Sequence, residues 1–241
     1  MHKRLVLFAC AALPAVALSQ TADAPGFKVG DTWVVRLTRE KAPSGWEQVR
    51  EEMAVARVTG SRLYITVKKA ESPQPPREVV TGLDWSRLRS LNGKETTVTR
   101  PLVFPLAPGK SWTLRFTDPH PDAQHREVAW ESTFRVLGYE TVEVPAGRFN
   151  ALKIESEGTW VAQRAPGQSV SQAATTTAAG TTMTTQTRKT EAETVAGRTY
   201  KAFWYVPEVK YWVKSEEEMF DGRGVRVNRV GMELESFKPG P

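Results

Sequence analysis

The residues best suited to chemistry lie within Asp118-Pro119-His120-Pro121-Asp122-Ala123-Gln124-His125, which holds two of the chain's 3 histidines. Carboxylates and imidazoles this close in sequence are the donors a zinc ion takes and the groups an acid–base hydrolase uses. The spacing fits neither H-E-x-x-H nor H-x-H, and the prolines mark a turn-rich loop, a poor holder of ligand geometry. Asp118, His120, Asp122 and His125 therefore stand as an alternative metal or hydrolytic set beside the plainer expectation of a solvated loop with no metal. A carboxylate pair elsewhere is the other hydrolytic route. Sequence order cannot locate one, because such pairs are defined by distance in space.

Pro108-Gly109-Lys110-Ser111 has the outline of the end of a phosphate-binding loop, but Phe104 stands where the first glycine belongs and a strand pattern follows instead of a helix. Nucleotide binding is excluded on that ground, and no cofactor is expected. There is no G-x-S-x-G elbow for a serine nucleophile. The 8 tryptophans are the remaining candidates. An indole offers a wide apolar face with one polar handle, suited to sugars or to an apolar cavity, although a β core uses the same side chain as filler. Trp204 and Trp212, on either side of a turn, are the first choices for a ligand contact.

The elements that must position these residues alternate with period two. Trp33, Val35 and Leu37 share one strand face, as do Trp112, Leu114 and Phe116, and Met53–Val58 and Leu63–Val67 flank Thr59-Gly60-Ser61 as a hairpin. Roughly ten strands separated by turn signals point to an all-β fold, a curved antiparallel sheet or incomplete β-barrel with at most one or two short helices. Leu83–Leu88 is the best place for one such helix. Trp46 to Met53 reads either as a helical turn or as more strand. In Val142 to Phe149, Pro145 suits position i+1 of a turn, Ala146 leaves the corner uncrowded and Gly147 takes angles other residues resist, so Pro145, Ala146 and Gly147 read as a structural turn.

The chain begins with His2, Lys3 and Arg4 followed by an apolar run from Leu5 to Leu18, with small residues at Ala17 and Ser19. That is the form of a cleavable signal peptide over 1–19, too short to span a bilayer. Leu7-Phe8-Ala9-Cys10 has the outline of a lipobox, but it sits inside the apolar run, and Cys10 reads as a small apolar member of it. Cleavage would leave a periplasmic or secreted chain with no cysteine, no disulfide and no transmembrane span. Residues 20–241 then form a single all-β domain, or two sub-sheets meeting near 117–127. The Thr/Ala-rich stretch 168–199 is either a flexible insertion or a polar hairpin.

The formal charge of +6 becomes +4 without Lys3 and Arg4. Bases and acids are interspersed, with no stripe of the kind that tracks a phosphate backbone, so nucleic acid is not expected as a partner. Lipid or an anionic envelope polymer remains as the partner class.

Two longer stretches carry a resemblance. Gly138–Ile154 contains V-x-V-P-A-G-x-F-x-A-x-K-I, and Phe203–Glu216 contains W-Y-x-P-x-V-x-x-x-V-K-x-E; with Gly30-Asp31-Thr32-Trp33 and Phe104–Trp112 they resemble a loose group of exported bacterial β-rich proteins of unknown function. The resemblance implies an envelope protein with a curved antiparallel sheet or open barrel and no catalytic residue to carry over. Lys210 departs from the pattern, standing where a glycine often follows the second valine. The readings that remain are a non-catalytic binding or structural module of the envelope, for an apolar ligand, and an envelope hydrolase using the 118–125 loop or a carboxylate pair.

Overall fold

The computed structural model describes residues 21–41, 45–123, 125–177, 180–190 and 192–241. The amino-terminal run over 1–19, Cys10 included, and Ala178 and Ala179 at the centre of the Thr/Ala-rich stretch lie outside the described residues. The chain forms β1 (Thr32–Lys41), β2 (Gly45–Val58), β3 (Arg62–Lys69), β4 (Arg77–Gly82), β5 (Arg87–Leu91), β6 (Lys94–Thr99) and β7 (Ser111–Asp122). It continues with β8 (His125–Val144), β9 (Gly147–Arg164), β10 (Gly167–Thr177), β11 (Gly180–Thr190), β12 (Thr194–Val206), β13 (Tyr211–Phe220) and β14 (Arg226–Lys238). Among the described residues the only helical turn is a 3-10 turn at Pro207–Val209.

Ten strands make one antiparallel sheet in the order β4-β3-β2-β1-β14-β13-β12-β9-β8-β7. The sheet is not closed into a barrel. Its two edges, β4 and β7, do not pair with each other, and the β5–β6 hairpin lies between them. Side chains tie that hairpin to the sheet: Arg62 meets Glu95 at 3.1 Å and Arg89 meets Asp118 at 2.5 Å. β10 and β11 pair only with each other, leaving the sheet between β9 and β12 as a two-stranded ribbon.

Inward-facing residues follow from the pleat, which sends alternate side chains to opposite faces. Trp33 and Val35 on β1 face Met53 and Val55 on β2, Ile65 and Val67 on β3, and Leu234 on β14, all buried. Around Trp33 stand Phe27, Trp85, Tyr211 and Phe237, with ring centroids 5.5 to 6.4 Å away. Leu102 and Leu106 complete this end, where Ala22 and Leu106 exchange two backbone hydrogen bonds of 2.8 Å.

Two local expectations need correction, and one open reading is decided. Leu83 to Leu88 is a tight turn leading into β5, not a helix: Trp85 has φ of +61°, which a right-handed helix cannot continue, and the Gly82 N–H donates to the Ser86 carbonyl at 2.8 Å. Asp118 to Asp122 is the end of strand β7 and not a loop, because the prolines fall at an edge strand and at a ladder irregularity, where no N–H is required. Trp46 to Met53 is strand throughout, paired with β1. Residues 117–122 and 125–127 form the far end of the β7–β8 hairpin within the ten-stranded sheet.

Candidate functional site

Lys28 to Asp31 forms the turn that starts β1, and Asp31 is fully buried there. Its carboxylate accepts from the Lys28 and Gly240 N–H groups at 2.8 Å each and from Lys210 Nζ at 2.7 Å. Lys210 closes the 3-10 turn in the left-handed region, φ +61°, the conformation for which glycine is the usual residue. Beside it, the Trp33 indole N–H donates to the Val209 carbonyl at 2.7 Å and the Trp85 indole N–H to the Lys210 carbonyl at 2.9 Å. Burial alone would push the Asp31 carboxyl up. The hydrogen bonds from Lys210, Gly240 and Lys28, with the Lys210 charge, outweigh it and hold Asp31 below the usual carboxylate value. Wholly buried and paired with Lys210, the carboxylate is out of reach of solvent, and the clasp joins two patterned stretches 179 residues apart.

Pro145 and Ala146 are the two residues between the paired Val144 and Gly147, and Gly147 has φ of +130°. The Ala146 N–H donates to the Leu234 carbonyl of β14 at 3.0 Å, so the turn docks on a strand that is not its neighbour in the sheet. A hydrogen bond across the curl is what a strongly coiled sheet allows and a flat one does not.

The four residues of the acidic and histidine set do not converge. Asp118 is held by Arg89, while Asp122 accepts from the His125 N–H at 3.0 Å and meets His125 Nδ1 at 2.9 Å. His120 adopts φ of +51° in the strand irregularity. Among the described residues no group of three or more His, Cys, Asp or Glu side chains is placed to hold a metal ion.

Trp204 and Trp212 lie on opposite faces of the sheet. Trp204 pairs in register with Lys153 and Lys214, whose ammonium groups sit 5.4 and 5.0 Å from its ring centroid, and its indole N–H donates to Glu140 at 2.5 Å. Trp204 is nevertheless buried, a member of the hydrophobic core with charged side chains over its ring on the face away from the cavity. Trp212 points inward, 5.1 Å from Phe203 and 3.9 Å from Tyr211, and borders a cavity of about 650 Å³.

This cavity occupies the part of the curled sheet beyond the aromatic cluster. Its apolar walls come from Leu37, Met53, Val79, Leu114, Phe134 and Met232. It stays open because the inward positions of the facing strands are small: Ser132 on β8 pairs with Gly158 on β9, which pairs with Thr199 on β12, and Ser215 lies opposite Met232. Farther out the same faces carry Arg39, Glu51, Lys201 and Glu217. The volume falls within the ~300–1,000 Å³ usual for small-molecule sites, and apolar walls with a few polar groups are their usual chemistry. Trp212, one of the two tryptophans singled out in the sequence, borders this cavity, whereas the cavity itself, a void made by serine and glycine on strand faces, leaves no motif.

Among the described residues no helix is long and apolar enough to cross a membrane. No family model and no curated protein matches the chain. Two solved structures resemble it. A protein of Bacteroides fragilis, whose name marks it as a candidate exported protein with a YmcC-like fold, is 15% identical, with 90% of this chain and 99% of that one covered at a TM-score of 0.44. A candidate lipoprotein of Parabacteroides distasonis is 13% identical, with 91% and 100% covered at a TM-score of 0.45.

Proposed function

We propose that this protein is an exported binding module of the bacterial envelope that holds the apolar part of an amphiphilic ligand inside its open sheet. The observation that carries this reading is the cavity of about 650 Å³, walled by aliphatic and aromatic side chains and edged with charge. Burial of an alkyl group there is favourable by about 25 cal/mol per Å² of apolar surface removed from water. Export rests on the basic start, the apolar run and the small residues that end it. The hydrogen bond from the Trp33 indole N–H to the Val209 carbonyl joins two of the patterned stretches and supports taking them as a structural signature of the exported β-rich group, with the module as one domain over 20–241; the Lys210–Asp31 pair is this chain's own addition. A hydrolase reading has less support, because Asp118 is held by Arg89, His125 meets Asp122 alone, and no third group of 118–125 joins that pair among the described residues.

The test is native mass spectrometry and solvent extraction of the protein expressed with its leader and recovered from the periplasm. A lipid-sized adduct is expected on the wild type and should be absent from Ser132→Trp, whose indole would enter the cavity. Wild-type protein that carries no adduct and takes up no alkyl probe would end the carrier reading, and a bound metal would revive the hydrolase.

A further inference from the structure

We infer that Arg87, with the hydroxyls of Thr81 and Thr99, forms a subsite for the acidic head of the ligand, a carboxylate or a phosphate; the inference rests on the cavity reading above. The charges that line the cavity are mostly matched within the protein. Glu51 lies 3.9 Å from Arg77, Glu217 2.7 Å from Lys201, Glu218 3.1 Å from Arg226, and Arg100 3.1 Å from Asp84. Arg87 and Arg39 line the same cavity and have no ion pair among the described residues.

The surroundings of the two arginines differ. Arg87 pairs in register with Thr99 across the β5–β6 hairpin, and Thr81 is the residue before the last of the neighbouring edge strand β4. Both threonines line the cavity, and each Oγ1 is buried without a hydrogen-bond partner among the described residues; Thr81 is only 6% exposed. A buried hydroxyl left unmatched costs about 1–3 kcal/mol, so valine would serve the fold better at both positions. Each hydroxyl is closed to solvent and meets the cavity only by a turn about χ1; once turned, hydroxyls that donate and a guanidinium fork that donates in pairs are together the donor set for an acidic oxygen. Burial pushes the Tyr211 phenol up; the charge of Arg87, close enough to be felt there, opposes this, and the charges of Glu217 and Glu51 add to the upward push. Arg39, by contrast, stands opposite Val230 and Glu47, and no unmatched hydroxyl adjoins it in the ladder. Heads therefore belong at the gap between β4 and β7, where the β5–β6 hairpin sits, with the chain running inward past Trp212.

Calorimetric titration of the full protein with dodecanoate, dodecyl phosphate, dodecanol and inorganic phosphate tests this. Arg87→Gln should weaken both acidic amphiphiles by about tenfold or more, the loss expected for a charge-assisted hydrogen bond, and leave dodecanol within about twofold. Thr81→Val and Thr99→Val should weaken the acidic probes a few-fold while the protein melts no lower. Arg39→Gln should change nothing beyond about twofold. Equal losses for dodecanol and dodecanoate in Arg87→Gln, no loss for either, or a larger loss in Arg39→Gln would overturn the assignment. So would an Arg87-dependent site for inorganic phosphate with no gain from the alkyl chain. Wild-type protein that binds none of the amphiphiles refutes the cavity reading itself, whereas binding that ignores the head refutes the subsite alone.

Discussion

The two ends of the curled sheet obey one strand pattern and arrive at opposite interiors. Along β1 the inward residues run Trp33, Val35, Leu37, Arg39, from a side chain with no exposure to one at the cavity edge. Across from them on β14 stand Phe237, Leu234, Met232 and Val230. On β12 the same walk runs Tyr205, Phe203, Lys201, Thr199, and on β9 it runs Ile154, Ser156, Gly158. Pairing and alternation are the same at both ends, so neither explains the difference. Side-chain volume does: six-membered rings and indoles fill the space near Asp31, whereas serine, threonine and glycine leave it open farther along. A sheet supplies walls, and the residues on it decide whether the walls enclose a core or a site.

Shortening the same strand at its two ends should break the protein unequally. Trp33→Ala removes an indole from the packed end and should cost about 4 kcal/mol in urea denaturation, while Leu37→Ala, already beside open space, should cost about 2 kcal/mol or less. Equal losses would mean the cavity collapses in solution. The ion pairs give a second contrast. Asp31→Asn breaks a pair whose side chains are 0% and 16% exposed and should cost about 3 kcal/mol, leaving Lys210 without its carboxylate. Glu217→Gln breaks one at 43% and 27% and should cost about 1 kcal/mol or less.

Acid sharpens that contrast. Because the folded Asp31 carboxyl titrates below its ordinary 3.8, its contribution is complete above that value and is lost as pH falls through the folded pKa. Denaturation midpoints of the wild type should therefore drop below about pH 4 more steeply than those of Asp31→Asn. A smaller effect is expected at the turn. Gly147→Val meets no atom within 4 Å but puts a branched side chain at φ +130°, which should cost about 1–3 kcal/mol with amphiphile binding unchanged. Lost binding in a normally stable Gly147→Val protein would make this turn part of the site. Smallest of all, Ser132→Trp should raise the melting free energy by about 0.5–1 kcal/mol by filling the cavity while it removes binding.

The strand faces were legible because alternation is a property of the covalent chain. Trp33, Val35 and Leu37, and Trp112, Leu114 and Phe116, needed only the period-two rule. Pro145 and Gly147 were legible for the same kind of reason, since ring closure and a missing Cβ act on the backbone locally. Leu83–Leu88 misled because its apolar spacing suits a helical turn, while Gly82, the Asp84 side chain bonded to the Ser86 N–H at 3.0 Å, and Trp85 together make a tighter one. The short β5 and β6 carry few large apolar residues to announce them, and the expected strand count accordingly falls short of the ladders present.

Sequence by itself determined that this chain would be antiparallel strand and tight turn, that its charges would be dispersed, and which side chains would share a face. Those follow from bond geometry and from the partition of apolar groups out of water, both of which act residue by residue. Tertiary structure alone decided that Lys210 would reach Asp31, that Ala146 would bond to Leu234, and that Trp204 and Trp212 would look away from each other. It also decided that small residues on four strands would leave a cavity with Arg87 beside it. Those depend on how far the sheet coils and which strands come to face across it, and that is a sum over the whole molecule rather than a property of any one stretch.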